Sequence, residues 1–156
     1  MKTERLVKEF VYSREDKLHK EHFHNDYQLI FVVSGSVEVV CDGKEFIAGP
    51  NSLVFISNLE NHSIKILQSP YERYYMTLPV RELEETVLDS QLLSIFKNRP
   101  VSFCNVFNVA PIADEISCIL KLLHVEVNRT PNEYTQRYIS HLITVLILSI
   151  YRNSKK

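Results

Sequence analysis

The chain has 156 residues, of which 45% are hydrophobic and 24% are charged, values typical of one globular domain. Lysine and arginine total 18 against 19 acidic residues, with no dense basic run. This balance argues against a chain that binds nucleic acid by itself, because such binding needs a surface that neutralises phosphate.

The first half of the chain predicts short antiparallel strands separated by turns rich in glycine, proline and asparagine. Their number is about seven, at a spacing that favours a sandwich or barrel. Asp42-Gly43 has the composition of a tight hairpin turn. The candidate strands are Leu6 to Tyr12, Leu29 to Val33, Val37 to Val40, Lys44 to Ile47, Leu53 to Ser57, His62 to Leu67 and Tyr71 to Leu78.

Helices are predicted after Pro79. The segment Val80 to Asn98 has an apolar stripe and is expected to break near Asp89-Ser90, and Val101 to Val109 predicts an added strand. Pro111 marks the start of a second helix. The last helix has an N-cap threonine, a proline and a capping-box glutamate in Thr130-Pro131-Asn132-Glu133, and is expected to end near Arg152.

Two histidines mark one end of the predicted sheet. Side chains at i and i+2 of a strand lie on the same face, so His22 and His24 can contact the same ligand. Gln28, an even number of residues further on, is expected on that face too. His62 opens a later strand after a polar loop. Three histidines and one oxygen ligand suit zinc, nickel, iron or manganese. His22, His24, Gln28 and His62 are therefore candidate metal ligands.

The spacing of His22, His24, Gln28 and Gly35 resembles the first cupin motif, with glutamine in place of the usual glutamate. The order of segments resembles one cupin branch, the N-terminal sensing domain of AraC-type transcriptional regulators. The resemblance rests on H-x-H, the apolar strand with SG, the DG turn, the segment GPNSLVFISNLENHS and the helical tail. It covers roughly Phe10 to Tyr151.

The resemblance implies a mostly β chain with C-terminal helices: an antiparallel cupin or jelly-roll-like barrel over residues 1–79, followed by two or three helices. Residues 1–21 are interpreted as an N-terminal arm. Residues 80–156 are expected to pack on the barrel and to dimerise. We expect one structural domain, a fragment of a longer chain whose helix-turn-helix domain binds DNA.

No cofactor is expected to be required. Glutamine is a poorer ligand than glutamate for a hard divalent ion, and sensing domains of the resembled family commonly work without metal. An adventitious or structural Zn or Ni ion would find its ligands at the histidine cluster. The three cysteines are widely spaced and predict reduced thiols in a cytoplasmic protein.

The predicted effector site faces the barrel interior. Gln28, Ile30 and Val32 share the parity of His24, while Phe31 should face the helices. A polar pocket with tyrosine rings suits a small polar effector. The candidate effector-binding residues are His22, His24, Gln28, His62, Tyr12, Arg73 and Tyr75.

The last helix is apolar on nearly every side from Ile139 to Tyr151. A helix packed on one sheet needs one apolar stripe, so the second stripe is interpreted as a homodimer interface. The alternative is a helix enclosed between the sheet and the preceding helix. The interface candidates are Tyr138, Leu142, Val145 and Leu146.

Two functions compete. The first is an effector-sensing and dimerisation domain of a transcriptional regulator that contacts DNA through another domain. No membrane partner is expected, because the longest apolar block is too short to span a bilayer. The second is a small metal-dependent cupin enzyme, a dioxygenase or isomerase, that uses His22, His24 and His62. The sequence offers no obvious catalytic acid or base beside these histidines, so we favour the sensor.

Overall fold

The structure is a computed structural model that describes residues 6–15, 25–87, 89–97, 99 and 103–154. Within these residues six strands form one antiparallel sheet. Five of them run in the order β1-β5-β2-β4-β6, and β3 pairs with β2. The strands are β1 (Glu9–Glu15), β2 (Tyr27–Cys41), β3 (Lys44–Ala48), β4 (Ser52–Ile56), β5 (His62–Leu78) and β6 (Val106–Asn108).

Three α-helices follow the sheet in the described part of the chain. They are α1 (Val80–Thr86), α2 (Ala113–Asn128) and α3 (Thr135–Ser154), with short 3₁₀ turns at Leu92–Ile95 and Ala110–Ile112. The predicted class, a mostly β chain with C-terminal helices, is confirmed. None of the helices that the structure describes is long and apolar enough to cross a membrane.

Two of the predicted strand pairs are in fact single long strands. The runs on either side of Ser34-Gly35 belong to β2, which has 15 residues, and Pro70 lies inside the 17-residue β5. Strands β2 and β5 pair with each other along nearly their whole length, with register shifts between Val32 and Val37. The prediction of a turn at Gly35 was wrong, because a bulge absorbs the glycine without ending the strand.

The bulge changes which residues of β2 face inward. Before it, Ile30 and Val32 lie in one buried cluster; after it, Val37 and Val39 lie in the same cluster. A shift of one residue turns every later side chain to the other face, so odd-numbered residues after the bulge join the same core as even-numbered residues before it. The interior core contains Ile30, Val32, Val37, Val39, Cys41, Ala48, Val54, Ile56 and Tyr71.

The opposite face of the sheet packs against the helices. Leu29 and Phe31 of β2 join Met76 of β5 there, together with the buried face of α3. The inward and outward parity predicted for Gln28 to Phe31 is therefore confirmed. One predicted stripe of α3 forms this helix-side core: Ile139, Ile143, Ile147 and Ile150.

The first strand and the start of α3 are shifted from their predicted bounds. Residues 9–15 of the predicted arm pair with β5 as an edge strand, and Leu6 and Val7 are buried in the helix-side core. Helix α3 begins at Thr135, four residues after Pro131. The Asn132 Oδ1 accepts the Tyr134 N–H at 2.8 Å, so a local asparagine turn takes the place of the predicted threonine cap.

Gly35→Ala should lower the free energy of unfolding by roughly 2–4 kcal/mol. Its φ is +78°, and an added Cβ would lie 2.5 Å from the Pro70 carbonyl oxygen and 2.6 Å from that of Gln68. Gly43→Ala is the matched control, since its φ is +83° but nothing lies within 4 Å of a Cβ. It should cost only about 1 kcal/mol. Urea unfolding measures both, and equal losses would contradict the close approach of β2 and β5.

Candidate functional site

Polar side chains of β1, β2 and β5 meet on the interior face of the sheet. Strand β5 places Arg73, Tyr75 and Thr77 on this face by alternation. Gln28 of β2 lies opposite Thr77, and Ser13 of β1 lies opposite Arg73. These five residues are called the interior wall.

Gln28 is only 1% exposed, and its amide is half satisfied. Its Nε2 donates to the Tyr75 hydroxyl oxygen at 2.7 Å. The Gln28 Oε1 and the Thr77 Oγ1 are both buried and have no hydrogen-bond partner among the described residues. An unpaired buried polar group costs about 1–3 kcal/mol. These two oxygens are the polar atoms of the interior wall that the described residues leave without a hydrogen-bond partner.

Tyr75 joins the two ends of the interior wall. Burial raises the pKa of its hydroxyl above the ordinary value, and the neighbouring Thr77, Arg73 and Gln28 side chains oppose part of that shift. The phenol is therefore protonated at neutral pH. The Tyr75 oxygen accepts from Gln28, and its O–H is a hydrogen-bond donor.

Arg73 is half-buried between two tyrosine rings. Its guanidinium carbon lies 5.5 Å from the Tyr71 ring centroid and 5.2 Å from that of Tyr75, within the range of a cation–π contact. Its Nε donates to the Ser13 Oγ at 3.2 Å. The wall thus has a fixed positive charge at one end and an amide at the other.

His62 lies on the interior face at the start of β5, opposite Cys41 of the interior core. It is 3% exposed, and its Nδ1 lies 3.3 Å from the Glu60 carbonyl oxygen. His22 and His24 lie outside the described residues. Across the described residues, no group of three or more His, Cys, Asp or Glu is arranged to hold a metal. The metal site therefore stays a prediction.

The loop before His62 is tied to the segment that follows α1. The Arg99 Nη1 donates to both carboxylate oxygens of Glu60, at 3.0 and 3.1 Å. The Asn105 Nδ2 donates to the Glu60 Oε1 at 3.1 Å and to the Phe55 carbonyl oxygen at 2.8 Å. This network holds the barrel end against the chain that leads into β6.

Tyr12 is not part of the interior wall. Its ring lies 5.2 Å from that of Tyr74, and its hydroxyl donates to Glu72. Both tyrosine rings are on the helix side, where Tyr74 packs against Phe10 and His124. Tyr12 and Tyr74 line an open groove of about 310 Å³ between the sheet and α2, here called the outer groove.

Several exposed side chains of α2 and α3 are apolar. Of the predicted interface residues, Tyr138 and Val145 are exposed, whereas Leu142 is half-buried and Leu146 belongs to the chain's own core. A groove of about 330 Å³ lies between the helices beside Tyr138. The exposed apolar residues, here called the helix surface, are Leu122, Val125, Tyr134, Tyr138, Val145 and Leu148.

Sequence reasoning missed Ser13 and Thr77 in the wall, and the pairing of Arg99 with Glu60. Thr77 lies two residues beyond Tyr75, so alternation alone would have found it once Tyr75 was placed inward. Ser13 and Arg99 depend on strand register and on a contact between distant segments, which no local pattern records. The three cysteines form no disulfide, as predicted.

An antiparallel sheet that is covered on one face by C-terminal helices defines a fold of the cupin-like class. The family model for the AraC-like ligand binding domain matches residues 9–142. The chain belongs to this family. No protein of curated function matches the chain in sequence.

Several solved structures of low sequence identity align with the chain, two of them with a TM-score above 0.5. ToxT from Vibrio cholerae aligns with a TM-score of 0.55 at 12% identity, over 93% of this chain and 56% of ToxT. The AraC-like transcriptional activator CuxR aligns with a TM-score of 0.51 at 14% identity, over 80% of this chain and 43% of CuxR. An RmlC-like cupin family protein from Methanocaldococcus jannaschii aligns with a TM-score of 0.40 at 12% identity, over 45% of this chain and 66% of the M. jannaschii protein. The chain thus spans about half the length of ToxT and of CuxR.

Gln28→Leu should leave the free energy of unfolding within about 1 kcal/mol of wild type, because loss of its one hydrogen bond, to the Tyr75 hydroxyl, is offset by removal of a buried oxygen that has no partner among the described residues. Asn105→Leu is the matched control, since that buried amide donates to two acceptors. It should cost roughly 2–3 kcal/mol. Chemical denaturation compares the two variants. A loss at Gln28 as large as that at Asn105 would mean that Gln28 serves the fold and not a ligand.

Proposed function

We propose that this chain is the small-molecule-sensing and dimerisation domain of an AraC-family transcriptional regulator. Membership of the ligand-binding family supports a regulatory role. The observation that carries the proposal is the Gln28 Oε1, which is buried on the interior face without a partner among the described residues. A polar effector that donates to this oxygen would satisfy the wall.

The proposed role is binding without catalysis. The described wall consists of an amide, a phenol, two hydroxyls and a guanidinium. A phenol with a raised pKa and a guanidinium are both protonated at neutral pH. Neither accepts a proton there, so these groups suit recognition better than general-base chemistry.

Strand β5 connects the effector site with the helices. Tyr75 faces the wall, while the adjacent Tyr74 faces α2, with its ring 6.0 Å from that of His124. A shift of β5 on effector binding would therefore change the packing of α2. The Glu60–Arg99 pair gives a second route, from the loop beside His62 to the segment before β6. An effector that binds one arrangement more tightly would shift the population toward it.

The helix surface is the proposed site of dimerisation. Its members on α2 and α3 are exposed apolar side chains in a single chain, and two-fold pairing of such a surface buries it against itself. The regulator would act in the cytoplasm and bind DNA through a helix-turn-helix domain outside this chain. The net charge of −1 gives the sensing domain itself little attraction for phosphate.

Effector binding predicts a thermal shift that depends on Gln28. A compound present at a hundredfold excess over its Kd adds about 2.7 kcal/mol of stability, which raises the Tm by roughly 5–10 °C. We expect a screen of soluble metabolites to yield at least one such compound. Gln28→Leu should abolish most of the shift, whereas Ile47→Ala, on the exposed side of β3, should keep it. A shift that survives Gln28→Leu would place the effector elsewhere.

The dimer prediction concerns α3. Introducing charge on the helix surface with the double substitution Val145→Glu and Leu148→Glu should convert a dimer into a monomer, because each chain would bury two carboxylates at the two-fold contact. Ile47→Glu adds the same charge at a residue that is 70% exposed on β3, and should remain dimeric. Sedimentation velocity distinguishes these cases. A wild-type chain that sediments as a monomer at high micromolar concentration would contradict dimerisation by this domain.

A further inference from the structure

Arg73 carries information on the chemical class of the effector, an inference that rests on the proposed sensing function. Two of the described arginines are held by both aromatic and polar contacts. Arg99 stacks on Phe103 at 4.2 Å and pairs with the Glu60 carboxylate. Arg73 has the same kind of aromatic support but makes no ion pair with a carboxylate of the described residues.

The contacts of Arg73 fix its position without neutralising it. Only its Nε has a hydrogen-bond partner among the described residues, the Ser13 hydroxyl. The rings of Tyr71 and Tyr75 lie on the guanidinium and limit its motion. A guanidinium stays protonated at any physiological pH, and its terminal N–H groups match the two oxygens of a carboxylate. A half-buried cation therefore faces the interior with terminal donors that the described residues leave unused.

A second, independent group points to a ligand in the same place. The Gln28 Oε1 is buried and lacks a partner among the described residues. Tyr75 connects the two groups, since its hydroxyl oxygen bonds the Gln28 amide and its ring contacts the Arg73 guanidinium. One small molecule that spans the Tyr75 side chain can thus reach both.

We infer that the effector is a small organic carboxylate whose anionic group pairs with Arg73. A hydroxyl or amino group of the same molecule donates to the Gln28 Oε1. Arg73 then sets the charge of the ligand, and Gln28 with Thr77 sets its polar pattern. Charge-assisted hydrogen bonds to a guanidinium are roughly twice as strong as neutral ones, so loss of the charge on either side should weaken binding by about tenfold or more.

The test uses acetate, butyrate and benzoate, each compared with its primary amide of nearly equal shape. The readouts are the ¹⁵N–¹H signal of the Arg73 Nε and the Tm of the whole chain. We expect at least one carboxylate to move the Arg73 signal and raise the Tm, with its amide at least tenfold weaker. Arg73→Gln should weaken the carboxylate by about tenfold or more, and Arg73→Lys should weaken it less because it retains the charge. Arg137→Gln, an exposed arginine on α3, should bind as wild type.

Three results would overturn the inference: no response of the Arg73 signal to any of the three carboxylates, amides that bind as well as the acids, or unchanged carboxylate binding in Arg73→Gln. If Arg73→Gln does not fold, the comparison of acid with amide in the wild type and in Arg73→Lys decides. A neutral metabolite that stabilises the wild type but not Gln28→Leu would refute the carboxylate and leave the sensing function standing. A metabolite screen that finds no ligand would refute both.

Discussion

The close approach of β2 and β5 at Gly35 is the constraint on which the rest of the structure depends. The carbonyl oxygens of Gln68 and Pro70 lie so close to the Gly35 Cα that they leave no room for a Cβ. The bulge at this contact turns the later residues of β2 over, so that Val37 joins Val32 in one interior core. Without this reversal one long strand could not line both halves of the barrel.

The interior core and the helix-side core share the same strands but use alternate residues. On β5, Tyr75 faces the interior wall and Tyr74 faces α2, so two neighbouring residues serve two different surfaces. This arrangement gives a sensing domain a short physical route from ligand to helix, along the backbone of a single strand. It also explains why polar groups remain unpaired among the described residues on one face of β5 while the other face is packed with apolar and aromatic side chains.

Much of the architecture could be predicted from sequence because local patterns determine it. The Asp42-Gly43 hairpin formed as expected, with φ of +46° and +83°, and the alternation from Gln28 to Phe31 gave the correct faces. Glycine and proline predicted strand ends that do not occur, since Gly35 and Pro70 both lie inside long strands that pair with each other. The interior wall could be predicted only in part from the sequence. Arg73 and Tyr75 were candidates, but the face on which their side chains lie depends on the register with β1 and β2. The place of Tyr12 on the outer face follows from that register too.

Binding of the effector at the interior wall is tested most directly by tyrosine NMR. With ring-¹³C tyrosine, signals assigned by single Tyr→Phe variants distinguish Tyr75 and Tyr71, on the interior face, from Tyr74 and Tyr12, in the outer groove. We predict that a stabilising metabolite moves the Tyr75 and Tyr71 signals at low occupancy and changes those of Tyr12 much less. Perturbation centred on Tyr12 and Tyr74, with Tyr75 unchanged, would contradict binding at the interior wall and place the ligand between the sheet and α2.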